Sequence, residues 1–289
     1  METKELIKKV RKIEIKTRGI SNQVFAGNYQ SAFKGRGMAF TEVREYQFGD
    51  DIRSIDWNVT ARFNHPYVKV FEEERELTVM LLIDVSGSNE FGSQKQLKEE
   101  MITEIAAVLA FSAINNNDKV GVIFFSSTIE KFIPPKKGTT HILRIIRELI
   151  DFKPAEQGTD IAGALKYMRN VIKKKSVAFL ISDMQDKGFD DALSIVAKKH
   201  DLVGIRIYDP LESGIPAVGL MKIRDAESGK MIWADTSSKS FRENLKRWKM
   251  NHEKFLKNTF TKASVDLTSI STGQDYVPPL IALFKRRIQ

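Results

Sequence analysis

The run Leu77-Thr-Val-Met-Leu-Leu-Ile83, followed at once by Asp84-Val-Ser-Gly-Ser88, decides the fold of this chain. An almost unbroken apolar run is typical of a strand buried on both faces, in the middle of a parallel sheet. Such a strand delivers the residues after it to the carboxyl edge of the sheet, where α/β proteins bind ligands. Asp84, Ser86 and Ser88 therefore place three oxygen donors at that edge. Carboxylate and hydroxyl oxygens are hard donors of the kind that Mg²⁺ prefers.

Strand and helix patterns alternate along the rest of the chain. Helical spacing of apolar residues over 94–115 is followed by a short apolar strand over 119–125. The alternation continues through apolar strands over 176–183 and 202–208. Before these, residues 128–133 are expected to form an edge strand that Pro134-Pro135 ends. This rhythm predicts an α/β fold, with a doubly wound and mostly parallel sheet.

The chain is expected to have one core and one extension. The core covers residues 76–289, and residues 1–75 form an N-terminal extension that packs on it. Two short extended runs predict a hairpin inserted into the core near 214–235. Four apolar residues of the extension are expected to form the plug that seats it on the core, namely Phe48, Ile52, Ile55 and Trp57.

Length and composition exclude several classes of protein. The 289 residues, 42% of them apolar, can build a sizeable core. No apolar run approaches the ~20 residues that cross a bilayer, and the N-terminus carries charges where a signal peptide needs apolar residues. We therefore expect a cytoplasmic protein. The absence of cysteine excludes disulfides, thiolate metal sites and a cysteine nucleophile.

The net charge of +9 is concentrated at the two ends of the sequence. Residues 1–19, which include a basic amphipathic helix over 5–15, carry +4, and residues 239–289 carry +7. No nucleic-acid recognition motif accompanies these charges, so no nucleic-acid partner is expected. Solvated helix faces are favoured over an acidic partner or an anionic surface. Weak membrane association stays open, because each Lys or Arg near an anionic leaflet contributes about 1 kcal/mol.

Two further oxygen donors are expected at the same edge. Thr159 stands after a glycine at the start of a helix, and Asp183 follows the apolar strand Val177–Ile181 as Asp84 follows the first strand. If the two strands are neighbours, both carboxylates lie at one edge. The run from Asp84 to Ser88 alone would be better explained as a helix N-cap. All five donors together favour a metal site.

The pattern Asp-x-Ser-x-Ser, with a later Thr and an Asp after a later strand, resembles the metal-ion-dependent adhesion site of von Willebrand factor A domains. The resemblance covers residues 75–210. In that family the serines and the threonine bind Mg²⁺, the aspartates act directly or through water, and one position stays open for a partner's carboxylate. The resemblance implies a site for Mg²⁺, or for Mn²⁺ in its place, made by Asp84, Ser86, Ser88, Thr159 and Asp183.

The block from Gly37 to Trp57, followed by Thr60-Ala-Arg62, resembles the signature of the domain of unknown function 58 family. Members place this block before a von Willebrand A-like domain and are commonly encoded beside MoxR-type AAA+ ATPases. The resemblance implies an adaptor or co-chaperone that binds an Asp or Glu of such an ATPase or of its client. A salt-bridge network is favoured over a second site or partner surface for the charged residues of the block, which are Asp50, Asp51, Arg53, Asp56 and Arg62.

A metal-dependent hydrolase, such as a nuclease or a phosphatase using Asp84 and Asp183, is the alternative function. Such enzymes need a carboxylate-rich site and a group that activates water. Serine and threonine hydroxyls supply no general base. A Walker loop, a Gly-x-Ser-x-Gly elbow and a His-Glu-x-x-His motif are absent from the sequence. We therefore favour a binding module without catalytic residues.

Overall fold

The structure is a computed structural model that describes residues 11, 13, 14, 17, 38–73, 76–90, 92, 97–212, 214–224 and 230–288. The predicted helix over 5–15 lies mostly outside these residues; positions 11, 13 and 14 are helical. Across the described part of the chain, no helix combines the length and the apolar character needed to cross a membrane.

Strands and helices alternate as the sequence predicted. The strands are β1 (Met38–Glu45), β2 (Tyr67–Glu73), β3 (Thr78–Asp84), β4 (Lys119–Phe125), β5 (Ile129–Lys136), β6 (Val177–Ser182), β7 (Asp201–Tyr208), β8 (Leu220–Arg224), β9 (Met231–Asp235) and β10 (Asp266–Ser271). The α-helices are α1 (Trp57–Phe63), α2 (Lys98–Asn115), α3 (Thr139–Asp151), α4 (Ile161–Val171), α5 (Asp190–Ala197), α6 (Lys239–Lys262) and α7 (Val277–Ile288).

A six-stranded sheet forms the centre of the core, in the order β10-β7-β6-β3-β4-β5. Every pair is parallel except β4 with β5, which is antiparallel. This confirms the prediction of a doubly wound, mostly parallel α/β sheet. The strand β3 lies between β4 and β6, and the strand order reverses beside it. A crevice at the carboxyl edge is expected at such a switch point.

The central strand is buried on both faces because helices cover both sides of the sheet. Leu81 and Ile83 pack on the side covered by α2, α3 and α7. Met80 and Leu82 pack on the other side, against α4, α5 and α6. Each of these side chains is fully buried, and burial of one such side chain contributes about 1.5–3 kcal/mol. The apolar run thus holds the two helical layers to one sheet and presents Asp84 at its end.

The edge strand β5 differs from the prediction, because it continues through Pro134-Pro135 to Lys136. The pairing register with β4 shifts between Val120 and Val122, opposite the prolines. Proline has no N–H group and is tolerated only at sheet edges or at bulges. The shifted register lets β4 pair with a strand that contains two such residues.

The N-terminal extension contains a two-stranded antiparallel ribbon of β1 and β2, with α1 in the connection. The predicted apolar plug is wrong: Phe48, Ile52 and Trp57 are exposed, Trp57 at 67%. A chain reversal, a 3-10 helix and the start of α1 separate these residues along the chain. Val68 of β2 is buried instead, and Ile55, which is half-buried, forms a bridge to it.

The placement of the extension on the core stays a prediction. Among the described residues, no hydrogen bond or ion pair joins residues 42–73 to the six-stranded sheet. The predicted hairpin near 214–235 corresponds to β8 and β9, which pair antiparallel from Leu220 opposite Asp235 to Arg224 opposite Met231. Its connection, residues 225–229, lies outside the described residues.

Candidate metal site

Two neighbouring strands bring the predicted carboxylates to one edge. Asp84 is the last residue of β3, and Asp183 directly follows β6. The strands pair in parallel, with Ile83 opposite Ile181, so both chains leave the sheet on the same side. Both carboxylates are buried, each with about 1% of its residue surface exposed. Asp84 and Asp183 therefore lie at the same edge, as the sequence predicted on the condition that their two strands are neighbours.

Hydrogen bonds orient the Asp84 carboxylate. Its Oδ1 accepts from the backbone N–H of Ser86 at 2.9 Å, and its Oδ2 accepts from the Ser182 hydroxyl at 2.6 Å. Burial raises the pKa of Asp84 to about 7, the negative charge of Asp183 adds to this, and the bonds from Ser182 and Ser86 oppose it. A cation bound here would oppose both of these effects and lower the pKa of Asp84, because a positive charge favours the ionised carboxylate.

The two serines lie side by side after β3. The 3-10 helix Gly87–Glu90 turns the chain so that the Oγ atoms of Ser86 and Ser88 are 3.0 Å apart. Both residues are buried. A hydroxyl oxygen keeps a lone pair available to a cation even while it shares a hydrogen bond with its neighbour. The structure thus brings together Asp84, Ser86 and Ser88 as the sequence predicted.

The loop that carries Thr159 is tied to the same edge. Gly87 donates its N–H to the Gln157 carbonyl oxygen at 3.0 Å, which links the serine turn to this loop. Asp160 N–H donates to the Ser126 carbonyl oxygen at 2.8 Å. The Asp160 carboxylate caps α4 by accepting from Gly163 N–H at 2.7 Å, as expected for a helix acid rather than a ligand. Thr159 is half-buried at this junction.

Asp183 is held by a lysine that the sequence did not point to. Its Oδ2 is 3.0 Å from Lys98 Nζ, and its Oδ1 accepts from Gln185 N–H at 3.1 Å. Lys98 is fully buried at the start of α2, and its Nζ also lies 2.5 Å from Glu212 Oε1. Burial lowers the pKa of Lys98, but Asp183 and Glu212 outweigh burial and raise it. The side chain is therefore a charged ammonium group.

One signal in the sequence could have identified Lys98. The positive end of the helix dipole disfavours a cation in the first turn of a helix. A lysine at that place, in a helix whose other residues are largely apolar, is unusual unless an acid pairs with it. Glu212 gave no such signal, because it stands in a short polar connection after β7.

The donor set fits a small hard cation. Among the described residues no group of three or more His, Cys, Asp and Glu side chains could hold a metal, so a cation here depends on the hydroxyls. Asn89 is hydrogen-bonded to the end of β3. Its Nδ2 donates to the Asp84 carbonyl oxygen at 2.9 Å, and its buried Oδ1 finds no hydrogen-bond partner within the described part of the chain. Oxygen donors with one charged carboxylate suit Mg²⁺ or Mn²⁺.

The charged block in the extension forms ion pairs, but mostly with residues outside the predicted set. Asp50 is paired with Arg44 at 2.7 Å, which holds the pKa of this carboxyl below its usual range. Asp56 caps α1 and lies 3.4 Å from Lys69 Nζ. Asp51 caps the 3-10 helix Ile52–Ser54 through Arg53 N–H. Within the described residues no ion pair involves the exposed side chains of Arg53 and Arg62.

Relatives of the chain include an uncharacterized protein, Rv1480 of Mycobacterium tuberculosis, which is 26% identical over 281 residues. The match covers 96% of this chain and 88% of that protein. A solved von Willebrand A domain, that of SpRpn10, superposes with a TM-score of 0.43 at 11% identity, covering 73% of this chain and 95% of that domain.

A second solved structure, proximal thread matrix protein 1 from the mussel byssus, is described as having a zinc-occupied adhesion-type metal site. It superposes with a TM-score of 0.38 at 20% identity and covers 46% of this chain and 38% of that protein. Both TM-scores lie below 0.5, too low a similarity to transfer a ligand or a partner.

The sequence match to a family extends over most of the chain. It runs from residue 42 to residue 255, from the charged block through five of the six strands of the central sheet into α6. The family is described as "Protein of unknown function DUF58". The chain belongs to this family, and its core is the doubly wound, mostly parallel α/β sheet described above.

Proposed function

We propose that the protein is a metal-dependent binding module that captures an Asp or Glu side chain of a partner protein through Mg²⁺. The observation that carries the proposal is the buried group at the end of β3. There Asp84 lies beside two hydroxyl oxygens that are 3.0 Å apart. The residues that would hold the cation are Asp84, Ser86 and Ser88, with Thr159 from the neighbouring loop.

The chain's own residues prepare this site before any ligand arrives. The Ser182 hydroxyl and the Ser86 N–H fix the orientation of the Asp84 carboxylate. The bond from Gly87 to Gln157 keeps the two ligand loops together. When bound, the cation supplies a positive charge with an exchangeable water, which an acidic side chain can replace. Pre-oriented donors reduce the ordering that binding requires.

Binding rather than catalysis is supported by the chemistry of the donors. Serine and threonine hydroxyls leave a cation electrophilic but give no group to activate water. Two of the four histidines lie away from the carboxyl edge. His200 pairs with Ser176, which precedes β6, and His141 with the Val120 carbonyl oxygen near the start of β4. We therefore propose that the protein is not an enzyme.

We further propose that the partner is a MoxR-type AAA+ ATPase or its client, with this protein acting as an adaptor or co-chaperone. The support is the charged block that resembles the family signature, together with membership of that family. The exposed residues Phe48, Ile52 and Trp57 beside this block are available to a second contact with the same partner. An exposed group of large apolar side chains commonly marks a protein interaction surface.

Metal binding is tested by thermal unfolding with and without MgCl₂. A ligand at 100 times its Kd stabilises the folded state by about 2.7 kcal/mol. Wild type should show this gain, and Asp84→Asn should lose it. The matched control is Asp186→Asn, which changes another carboxylate near the start of α4, one bonded to Ile161 N–H, and should keep the gain. An equal gain in Asp84→Asn would refute the assigned site.

Partner capture needs its own experiment. A MoxR-type ATPase immobilised on beads should retain wild-type protein in MgCl₂ and release it in chelator. Undiminished capture in chelator would refute a metal-bridged contact. Hydrolysis of a phosphoester by purified protein, abolished by Asp183→Ala, would instead favour the hydrolase.

A further inference from the structure

A buried lysine joins two carboxylates that come from the ends of neighbouring strands. Lys98 Nζ lies 3.0 Å from Asp183 Oδ2, directly after β6, and 2.5 Å from Glu212 Oε1, in the connection after β7. The Glu212 carboxylate is also 3.4 Å from the Gln185 side-chain nitrogen. None of the Lys98 surface is exposed to solvent. The ammonium group is therefore an internal part of the carboxyl edge.

This pairing changes the charge that a bound cation would meet. Asp84, Asp183 and Glu212 each carry one negative charge when ionised. Lys98 is in contact with two of the three, and Asp183 has its second oxygen engaged by Gln185 N–H. Asp84 is then the carboxylate left to a cation. Because interactions in a buried site are weakly screened, one positive charge at this position matters.

We propose that Lys98 determines the specificity of the site, as a fixed internal cation that keeps Asp183 and Glu212 from neutralising a bound divalent ion. This inference rests on the proposed function. A cation surrounded by three unpaired carboxylates would be held more tightly, but it would attract a fourth carboxylate less. With Lys98 in place, the ion is held more weakly and keeps more of its charge for an acidic side chain of a partner. Lys98 is thus a positioning and charge-setting residue that does not itself touch the ligand.

The test measures Mn²⁺ affinity by calorimetry in three variants. Lys98→Met removes the positive charge and keeps the length of the side chain, so Mn²⁺ should bind about tenfold more tightly. This factor is taken from pKa shifts, in which one neighbouring charge changes the proton affinity of a carboxylate by about tenfold or more. Glu212→Gln removes one negative charge, so affinity should fall by a similar factor. The double variant Lys98→Met/Glu212→Gln restores the wild-type net charge and should return to within about threefold of wild type.

A second readout separates charge from structural damage. A short peptide rich in Asp and Glu should bind the Mn²⁺-loaded Lys98→Met protein more weakly than loaded wild type, although that variant binds Mn²⁺ more tightly. General damage would weaken both. If Lys98→Met does not fold, Lys98→Gln takes its place, because the Gln amide is also uncharged but can still donate a hydrogen bond to a carboxylate, and its Mn²⁺ affinity should rise in the same way.

The two proposals fail in different ways. Wild-type protein that is folded but binds no Mn²⁺ would refute the proposed function, and the role of Lys98 with it. Wild-type protein that binds Mn²⁺, with unchanged affinity in Lys98→Met and Glu212→Gln, would overturn the role of Lys98 alone. Shifts of both single variants in the same direction would overturn it as well.

Discussion

Replacement of Ser182 by alanine should destabilise the core by about 3 kcal/mol, because one hydroxyl serves two buried partners. It donates to Asp84 Oδ2 at 2.6 Å and accepts from the Met184 N–H at 2.9 Å. Both partners are buried, and Met184 has a φ of 60°, a conformation that few side chains adopt without support. The serine thus holds the carboxylate and the turn after β6 at once.

The magnitude follows from those two bonds. Above pH 7, where the Asp84 carboxylate is ionised, a hydrogen bond to it contributes about 1.5–3 kcal/mol, and a buried N–H left without a partner costs about 1–3 kcal/mol. The lower half of each range is appropriate because the turn at Met184 can relax when the hydroxyl is removed. Together these effects give the expected 3 kcal/mol, to within about 1 kcal/mol.

Urea unfolding followed by circular dichroism measures this loss. With a slope of about 2–3 kcal/mol per molar urea, the midpoint should fall by about 1 M. The matched control is Ser176→Ala, a buried serine at the opposite edge with a single side-chain partner, His200. It should lose less than Ser182→Ala. A loss below about 1 kcal/mol in Ser182→Ala would refute the dual role of this hydroxyl.

Three further predictions concern stability. Gly204→Ala should cost about 1–3 kcal/mol in chemical unfolding, because a Cβ there would lie 2.9 Å from a Leu267 methyl and closer still to the Phe260 ring; Gly158→Ala, with 3.5 Å to its nearest neighbour, should be near neutral. Burial lowers the pKa of His200 to about 4, below its unfolded value of about 6.5. Between these values the unfolded state binds a proton that the folded state does not, so the unfolding midpoint should fall as the pH drops from 6.5 to 4. A midpoint that does not change with pH in that window would contradict a buried, neutral His200. Trp57→Ala should leave the melting temperature within about 2 °C of wild type, because the side chain is exposed. A large drop would instead support the predicted packing of Trp57 on the core.

The sheet and part of the site were predictable because one physical fact governs both. A strand buried on both faces must be apolar throughout, so the residue that ends the apolar run also marks the edge of the sheet. This is why Asp84 and Asp183 could be placed together from two separate stretches of sequence. Thr159 was predictable for a related reason, since its glycine and the following helix place it in a loop.

The missed features depend on contacts between distant segments. Lys98, Asp183 and Glu212 come from three places in the chain, and no local pattern connects them. The prediction that apolar residues of the extension pack on the core was wrong for a different reason. Phe48 and Trp57 are hydrophobic, but a 3-10 helix and a turn separate them, so they follow no regular spacing. Without such spacing, hydrophobicity alone does not show whether a side chain faces the core or solvent.

The prolines in β5 have a consequence for how copies of the protein meet. An exposed edge strand offers its N–H and C=O groups to any other strand, which is how sheets grow into aggregates. In an extended strand consecutive residues face opposite sides, so one of Pro134 and Pro135 removes a donor from the outer side. At this edge the sheet is a poor template for a further strand. At the β5 edge, therefore, the sheet resists joining the sheet of another copy.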